Sequence, residues 1–260
     1  VRTLAGMVNH IEILLFHTPS LHNFPSSAEI KAVKKMGEIE GLSFSVHLPA
    51  SLEIASPHRE KQQTSVRMVV ELIDLMNELN PTYHILHIPV IPPTLTAVPG
   101  QYFTIHHQDR FDGWAQRATD SLLAIRNGIG PGNKILVENI NYSPIFLEAF
   151  WKSGLCDFCL DMGHLMLGRE SVSETTRQFM SVIKEIHLHG VFENEEHLSL
   201  SVLPAPRVSQ WIKLLLDADF KGVIDLEVFS PKDLKTSLHM LVGIIQSCAS
   251  RDDPQSETRK

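Results

Sequence analysis

One arrangement recurs along this chain and limits its fold more than any other feature: a short apolar run that ends on a histidine or a carboxylate. It is read in Ser45-Val-His47-Leu, Ile85-Leu-His87-Ile, Ile135-Leu-Val-Glu138-Asn, Phe158-Cys-Leu-Asp161, Ile186-His187-Leu-His189 and Ile224-Asp225-Leu-Glu227. A core built only for stability would not close strand after strand with groups that are costly to bury unpaired. A ring of parallel strands that delivers those ends to one mouth, as a (β/α) barrel does, turns the cost into a site.

The alternation of elements supports this fold class, an α/β protein with a TIM-like (β/α) barrel. Apolar, β-rich runs at 11–16, 44–48, 84–88, 134–140, 158–162, 185–190 and 223–229 give seven recognisable strands. Several are continuously apolar, the pattern of strands covered on both faces. Helical periodicity fills the gaps at 28–39, 62–79, 109–126, 144–152, 173–183, 207–216 and 232–247. In 62–79 the residues Val66, Val69, Val70, Ile73, Met76 and Leu79 share a face. Eight strands are usual, and the opening Val1-Arg-Thr-Leu-Ala-Gly-Met-Val reads as the end of a helix, so the usual first strand is expected to be missing from this chain. The domain expectation is one barrel over 1–250 and a polar, disordered tail over 251–260. The stretch 90–100, rich in Pro, Thr and Val, reads as a long loop beside the mouth, where substrate contacts gather.

Composition excludes several classes. No apolar run reaches the roughly 20 residues of a membrane helix, and no secretory signal opens the chain. Lys+Arg number 23 against 30 Asp+Glu, a net charge of −7, which disfavours a protein that grips duplex DNA. The three cysteines make no disulfide framework; Cys156 and Cys159 form a C-x-x-C that reads as a buried, reduced pair. The cytoplasm is the default compartment, and the sequence leaves homo-oligomerisation open.

Histidine with Asp and Glu suits zinc, manganese or iron better than magnesium. Residues two apart in a strand share a face, so His187 and His189 point together, as do Asp225 and Glu227. Two inward carboxylates at one strand end repel unless a cation or proton lies between them. In Asp161-x-x-His164 the aspartate closes a strand and the histidine sits on the turn above it. The loop Asn194-Glu-Glu-His197 offers Glu195 or Glu196 with His197, although a solvated acidic loop has the same composition.

These motifs resemble the xylose-isomerase-like barrel superfamily, and within it the type IV apurinic endonucleases, which bind three zinc ions. Val-His47-Leu-Pro and Leu-His87-Ile-Pro match that family's early histidines, Val-Glu138-Asn-Ile its bridging glutamate, Leu-Asp161-Met-Gly-His164 its Asp-x-x-His, and Leu-Glu227-Val its final glutamate. Ile-His187-Leu-His resembles its His-Leu-Asn-Asp, but Gly190 stands where the family has the aspartate. Ile-Glu-Ile-Leu-Leu-Phe, Ser-Val-His-Leu-Pro, His-Leu-His-Gly-Val and Glu-His-Leu-Ser-Leu are similar to the framework of cobamide-remodelling phosphodiesterases, with His17 where that group often has an acid.

The resemblance implies a metal-dependent hydrolase that cleaves the nucleotide loop of a corrinoid with two or three divalent ions, zinc first and manganese or iron as alternatives. It implies metal ligands His47, His87, Glu138, Asp161, His164, His187, Glu195, His197 and Glu227, with Glu138 and Glu227 catalytic. His189 and Arg59 are the candidates for holding substrate. Two other readings stand beside it. One is a sugar isomerase or epimerase of the same fold, which uses one metal and two glutamates. The other is a non-catalytic barrel that binds a corrinoid or another metabolite.

Overall fold

The computed structural model describes residues 3–90 and 113–251, with the side chains of 249–251 left aside. The loop expected at 90–100 and the tail expected at 251–260 therefore lie almost wholly outside the described residues, as does the start of the helix expected at 109–126. The chain divides into two compact units, Val1–Cys159 and Leu160–Lys260.

The first unit alternates strands and helices in chain order. Its strands are β1 (His10–Leu14), β2 (Ser43–His47), β3 (His84–Leu86), β4 (Ile135–Glu138) and the first residues of β5 (Asp157–Asp161), and each pairs in parallel with the next. The helices are α1 (Ser27–Glu40), α2 (Arg59–Met76), α3 (Trp114–Gly128) and the short α4 (Glu148–Lys152). Helix α1 begins at a capping box: the Ser26 hydroxyl accepts from the Glu29 amide while the Glu29 carboxylate accepts from the Ser26 amide. It stops at Gly41, whose φ of 67° favours a residue without Cβ.

Strand register decides which side chains become a site. His47 is paired with Ile85, and Ile85 with Leu136; two residues further on, His87 and Glu138 keep that same face. The opposite face of β2 belongs to the helices, because the Phe44 ring lies in the space that a side chain at Gly37 of α1 would need. Val46, Ile85, Leu136 and Val137 are fully buried, and α2 buries Val69, Leu72, Ile73 and Met76. Burial of each such side chain contributes about 1.5–3 kcal/mol. Val66 and Val70, expected on that face, are only partly buried.

In the second unit β5 ends at Asp161, and β6 (Ile183–His187) pairs in parallel with β7 (Val223–Asp225), placing Asp225 level with His187. The helices are α5 (Met162–Leu167), α6 (Val172–Phe179), α7 (Ala205–Asp217) and α8 (Pro231–Arg251). Helix α7 buries Val208, Trp211, Ile212 and Leu215, the spacing of one helical face. Residues read from sequence as a loop form an antiparallel hairpin, Gly190–Phe192 with Glu195–Leu198. The seven expected strands are thus all present, parallel in every registered pair among them. Cys156 and Cys159 are buried and form no disulfide, and burial pushes the Cys156 thiol up to about 12.

Candidate metal centre

Three donors of the first unit meet at one carboxylate oxygen. Nε2 of His47 lies 3.1 Å and Nε2 of His87 3.0 Å from Oε2 of Glu138. The two imidazoles stand edge to face with centroids 4.8 Å apart. His47 and Glu138 are 2% and 1% exposed, while His87 is only partly buried. Nδ1 of His47 lies 2.8 Å from the Leu48 carbonyl. Donating there leaves the lone pair on Nε2, the state a metal ligand requires. In that tautomer a nitrogen lone pair faces a carboxylate oxygen, an arrangement that repels unless a cation or a proton intervenes. The separations are close to the roughly 3.3 Å that tetrahedral coordination at about 2.0–2.1 Å sets between donors. Beside the cluster the Tyr142 hydroxyl donates to the Ile88 carbonyl at 3.0 Å, and burial, then Glu138, hold that phenol well above its ordinary pKa.

The second unit assembles a richer group. Asp161 ends β5 and caps α5: its Oδ1 accepts from the His164 amide at 2.6 Å. Its Oδ2 lies 3.3 Å from Nε2 of His189 and 3.7 Å from Nδ1 of His164. Oε2 of Glu227 is buried and has no hydrogen bond among the described residues, yet Nδ1 of His187 stands 3.4 Å and Nδ1 of His197 3.5 Å away. A buried carboxylate oxygen ringed by imidazoles just beyond bonding distance fits a cation between them. His189, His197 and Glu227 offer donor atoms within 4.8 Å of one another. Burial lowers the pKa of His189, but Asp161, then Glu227 and the Gly190 carbonyl, outweigh it and raise the group to about 9.

His197 reaches this group through a backbone irregularity. The hairpin register shifts between Glu195 and Leu198, and His197 has φ 57°. A bulge re-aims a side chain that strict alternation would send elsewhere. It also exchanges the neighbouring glutamates. Both glutamates are exposed, but it is Glu196 rather than the expected Glu195 that places Oε2 3.6 Å from His164 and Oε1 3.8 Å from His197.

Two glycines make the space. A Cβ at Gly163 would overlap the His189 imidazole, and one at Gly190 would overlap the Ser199 carbonyl and a Val202 methyl. No side chain fits at position 190, so the aspartate that the resemblance leads one to look for there has no room.

Of the expected ligands, His47, His87 and Glu138 converge in the first unit. Asp161, His164, His187, His197 and Glu227 converge in the second. His189, expected at the substrate, is fully buried inside the second cluster. Arg59 is exposed on the first turn of α2, with no side-chain hydrogen bond or ion pair among the described residues. The steric role of Gly163 and Gly190 escaped sequence reading, and the choice between Glu195 and Glu196 was left open there. The consecutive Glu195-Glu196 marked the position, but only the bulge selects between them.

The chain belongs to the xylose isomerase-like TIM barrel family, whose profile matches residues 5–244. No curated protein matches the sequence. Among solved structures it is similar to a D-tagatose 3-epimerase-like protein, at 18% identity and a TM-score of 0.73, covering 94% of this chain and 90% of that one. D-psicose 3-epimerase from Clostridium cellulolyticum H10, solved with D-tagatose, gives 13% and 0.63 over 94% and 91%. The TTHB071 protein from Thermus thermophilus, soaked with zinc chloride, gives 20% and 0.58 over 91% and 88%. At these identities the likeness is one of fold. The fold is that of a family of enzymes, and no helix among the described residues is long and apolar enough to cross a membrane.

Proposed function

We propose that the protein is a metal-dependent isomerase or epimerase acting on a small polyhydroxylated carbonyl compound, a sugar or sugar derivative. The observation that carries this reading is the pair of strand-end glutamates, Glu138 and Glu227, each approached by two imidazoles. Moving a proton on a carbon beside a carbonyl takes a carboxylate to remove it and an acid to return it, and inversion takes one group for each face. Glu138 is the candidate carboxylate of the first unit and Glu227 that of the second. His47 and His87 would hold an ion with Glu138, and Asp161, His187 and His197 with Glu227. An ion held by these residues would supply Lewis acidity, stabilising negative charge on the carbonyl oxygen. One structure named above is a D-psicose 3-epimerase and another a D-tagatose 3-epimerase-like protein, which favours this reading over the hydrolysis of a corrinoid phosphodiester.

A second reading keeps the hydrolase expectation in its general form. Imidazole donors occur in each of the two units, enough to hold more than one ion, and phosphodiester cleavage uses paired metals. One experiment separates the two. Protein loaded with manganese, cobalt or zinc, its metal content measured, is incubated in D2O with a panel of ketoses and, separately, with bis(p-nitrophenyl) phosphate. Deuterium entering a carbon next to the carbonyl, with appearance of the epimer, is the expected result. No exchange with any ketose, together with p-nitrophenol release, would replace the isomerase by the hydrolase.

A further inference from the structure

The imidazole of His189 has no exposed surface and both of its nitrogens are engaged. Nε2 lies 3.3 Å from Oδ2 of Asp161, and the backbone N–H of His197 donates to Nδ1 at 3.0 Å. That second contact selects the neutral tautomer with the proton on Nε2, donated towards Asp161. In the imidazolium form Nδ1 would donate instead to the Gly190 carbonyl, 3.2 Å away, and the Nε2 proton would still point at Asp161. Neither nitrogen then turns a lone pair to an ion. The other oxygen of Asp161 is already held by the His164 amide at 2.6 Å, so the contact from His189 removes the remaining freedom of the carboxylate. The ring itself is packed against Gly163, where a Cβ would strike it.

We infer that His189 is a positioning residue, which locks the Asp161 carboxylate and the His197 corner of the hairpin into one geometry before an ion binds. The inference rests on the reading above in which Asp161 and His197 hold a metal. Its physical content is preorganisation: two donors from different elements are set by one side chain that contacts neither ion nor substrate. An asparagine at this position could satisfy the His197 amide but is too short to reach Asp161 as well. A glutamine can place its amide nitrogen where Nε2 stands.

Metal affinity tests it without reference to turnover. Cobalt(II) binding to the whole protein is measured by chelator competition and by the cobalt absorption spectrum, for the wild type and for Asp161→Asn, His189→Asn and His189→Gln, each checked for folding by circular dichroism. Asp161→Asn is expected to weaken binding at the second cluster. His189→Asn is expected to weaken it about 10- to 100-fold and to alter the spectrum, and His189→Gln to recover most of the loss. Wild-type affinity in His189→Asn, with binding lost in Asp161→Asn, overturns the positioning role alone. Wild-type affinity in all three overturns the metal reading beneath it. If His189→Asn does not fold, His189→Gln is compared with His189→Met; a glutamine variant binding no more tightly than the methionine variant overturns the inference.

Discussion

Replacing Gly163 by alanine sets two opposing effects against each other. Within a helix, alanine is favoured over glycine by about 0.5–1 kcal/mol, because glycine has more backbone freedom to lose. Gly163 is the second residue of α5, so this gain is at most of that size. Against it stands the His189 ring, which occupies the volume of the new methyl group. The ring cannot swing aside freely, since it is fully buried and is held by Asp161 and the His197 amide. Overpacking a close-packed site costs typically about 1–3 kcal/mol. The cost wins, and Gly163→Ala is expected to destabilise the metal-free protein by about 1–2 kcal/mol. For a chain of this size that lowers Tm by roughly 2–8 °C in a calorimetric or circular dichroism melt. The decisive control is the same substitution in a His189→Ala background, where the ring is gone and the methyl group has a cavity to enter. There the sign should reverse, leaving alanine neutral or stabilising by up to about 1 kcal/mol. Equal destabilisation in both backgrounds would refute the claim that Gly163 exists to make room for His189.

Glu138→Gln should abolish turnover and weaken metal binding at the His47 and His87 pair at least tenfold while the circular dichroism spectrum stays native, because one buried negative charge is lost and almost no volume; near-normal turnover would contradict its role. Gly190→Asp should destabilise more than Gly163→Ala, since the new side chain meets the Ser199 backbone rather than a movable ring, and a Tm within 1 °C of wild type, well inside the roughly 2–4 °C that 1 kcal/mol shifts a chain of this size, would show that the hairpin yields. His84 is fully buried with no hydrogen bond to either ring nitrogen among the described residues, and burial, only partly offset by the Lys134 carbonyl, lowers its pKa to about 4. The folded state therefore resists protonation: this contribution is intact above the unfolded value near 6.5 and is lost progressively as pH falls from there to about 4, by about 3 kcal/mol in all. His84→Leu should flatten denaturant-measured stability across that window, and an unchanged slope would refute it. Of the three cysteines only the partly exposed Cys248 should react quickly with Ellman's reagent in the native protein, the buried pair reacting on unfolding; rapid release of three equivalents would contradict the burial of Cys156 and Cys159.

The amino-acid sequence by itself determined the seven strands, the fold class and most of the histidines and carboxylates that the structure gathers into its candidate metal centre. Each of those rests on a short-range pattern: an apolar run marks a buried strand, period-two alternation assigns its faces, and a charged or imidazole end marks the mouth. His47, His87 and Glu138 are legible because register carries the same face from strand to strand. Tertiary structure decided the rest, and for two physical reasons. Alternation fails at a bulge, so Glu195 and His197 could not be paired from spacing once the backbone at His197 entered positive φ and turned Glu196 towards the imidazoles. Occupied volume leaves no mark in a local pattern either: that Gly163 makes way for His189, and that Gly190 has no room for a carboxylate, depends on atoms brought close from elsewhere in the chain. The contacts of His189 with Asp161 and the His197 amide are likewise set by neighbours brought from elsewhere in the chain, not by its place in a strand.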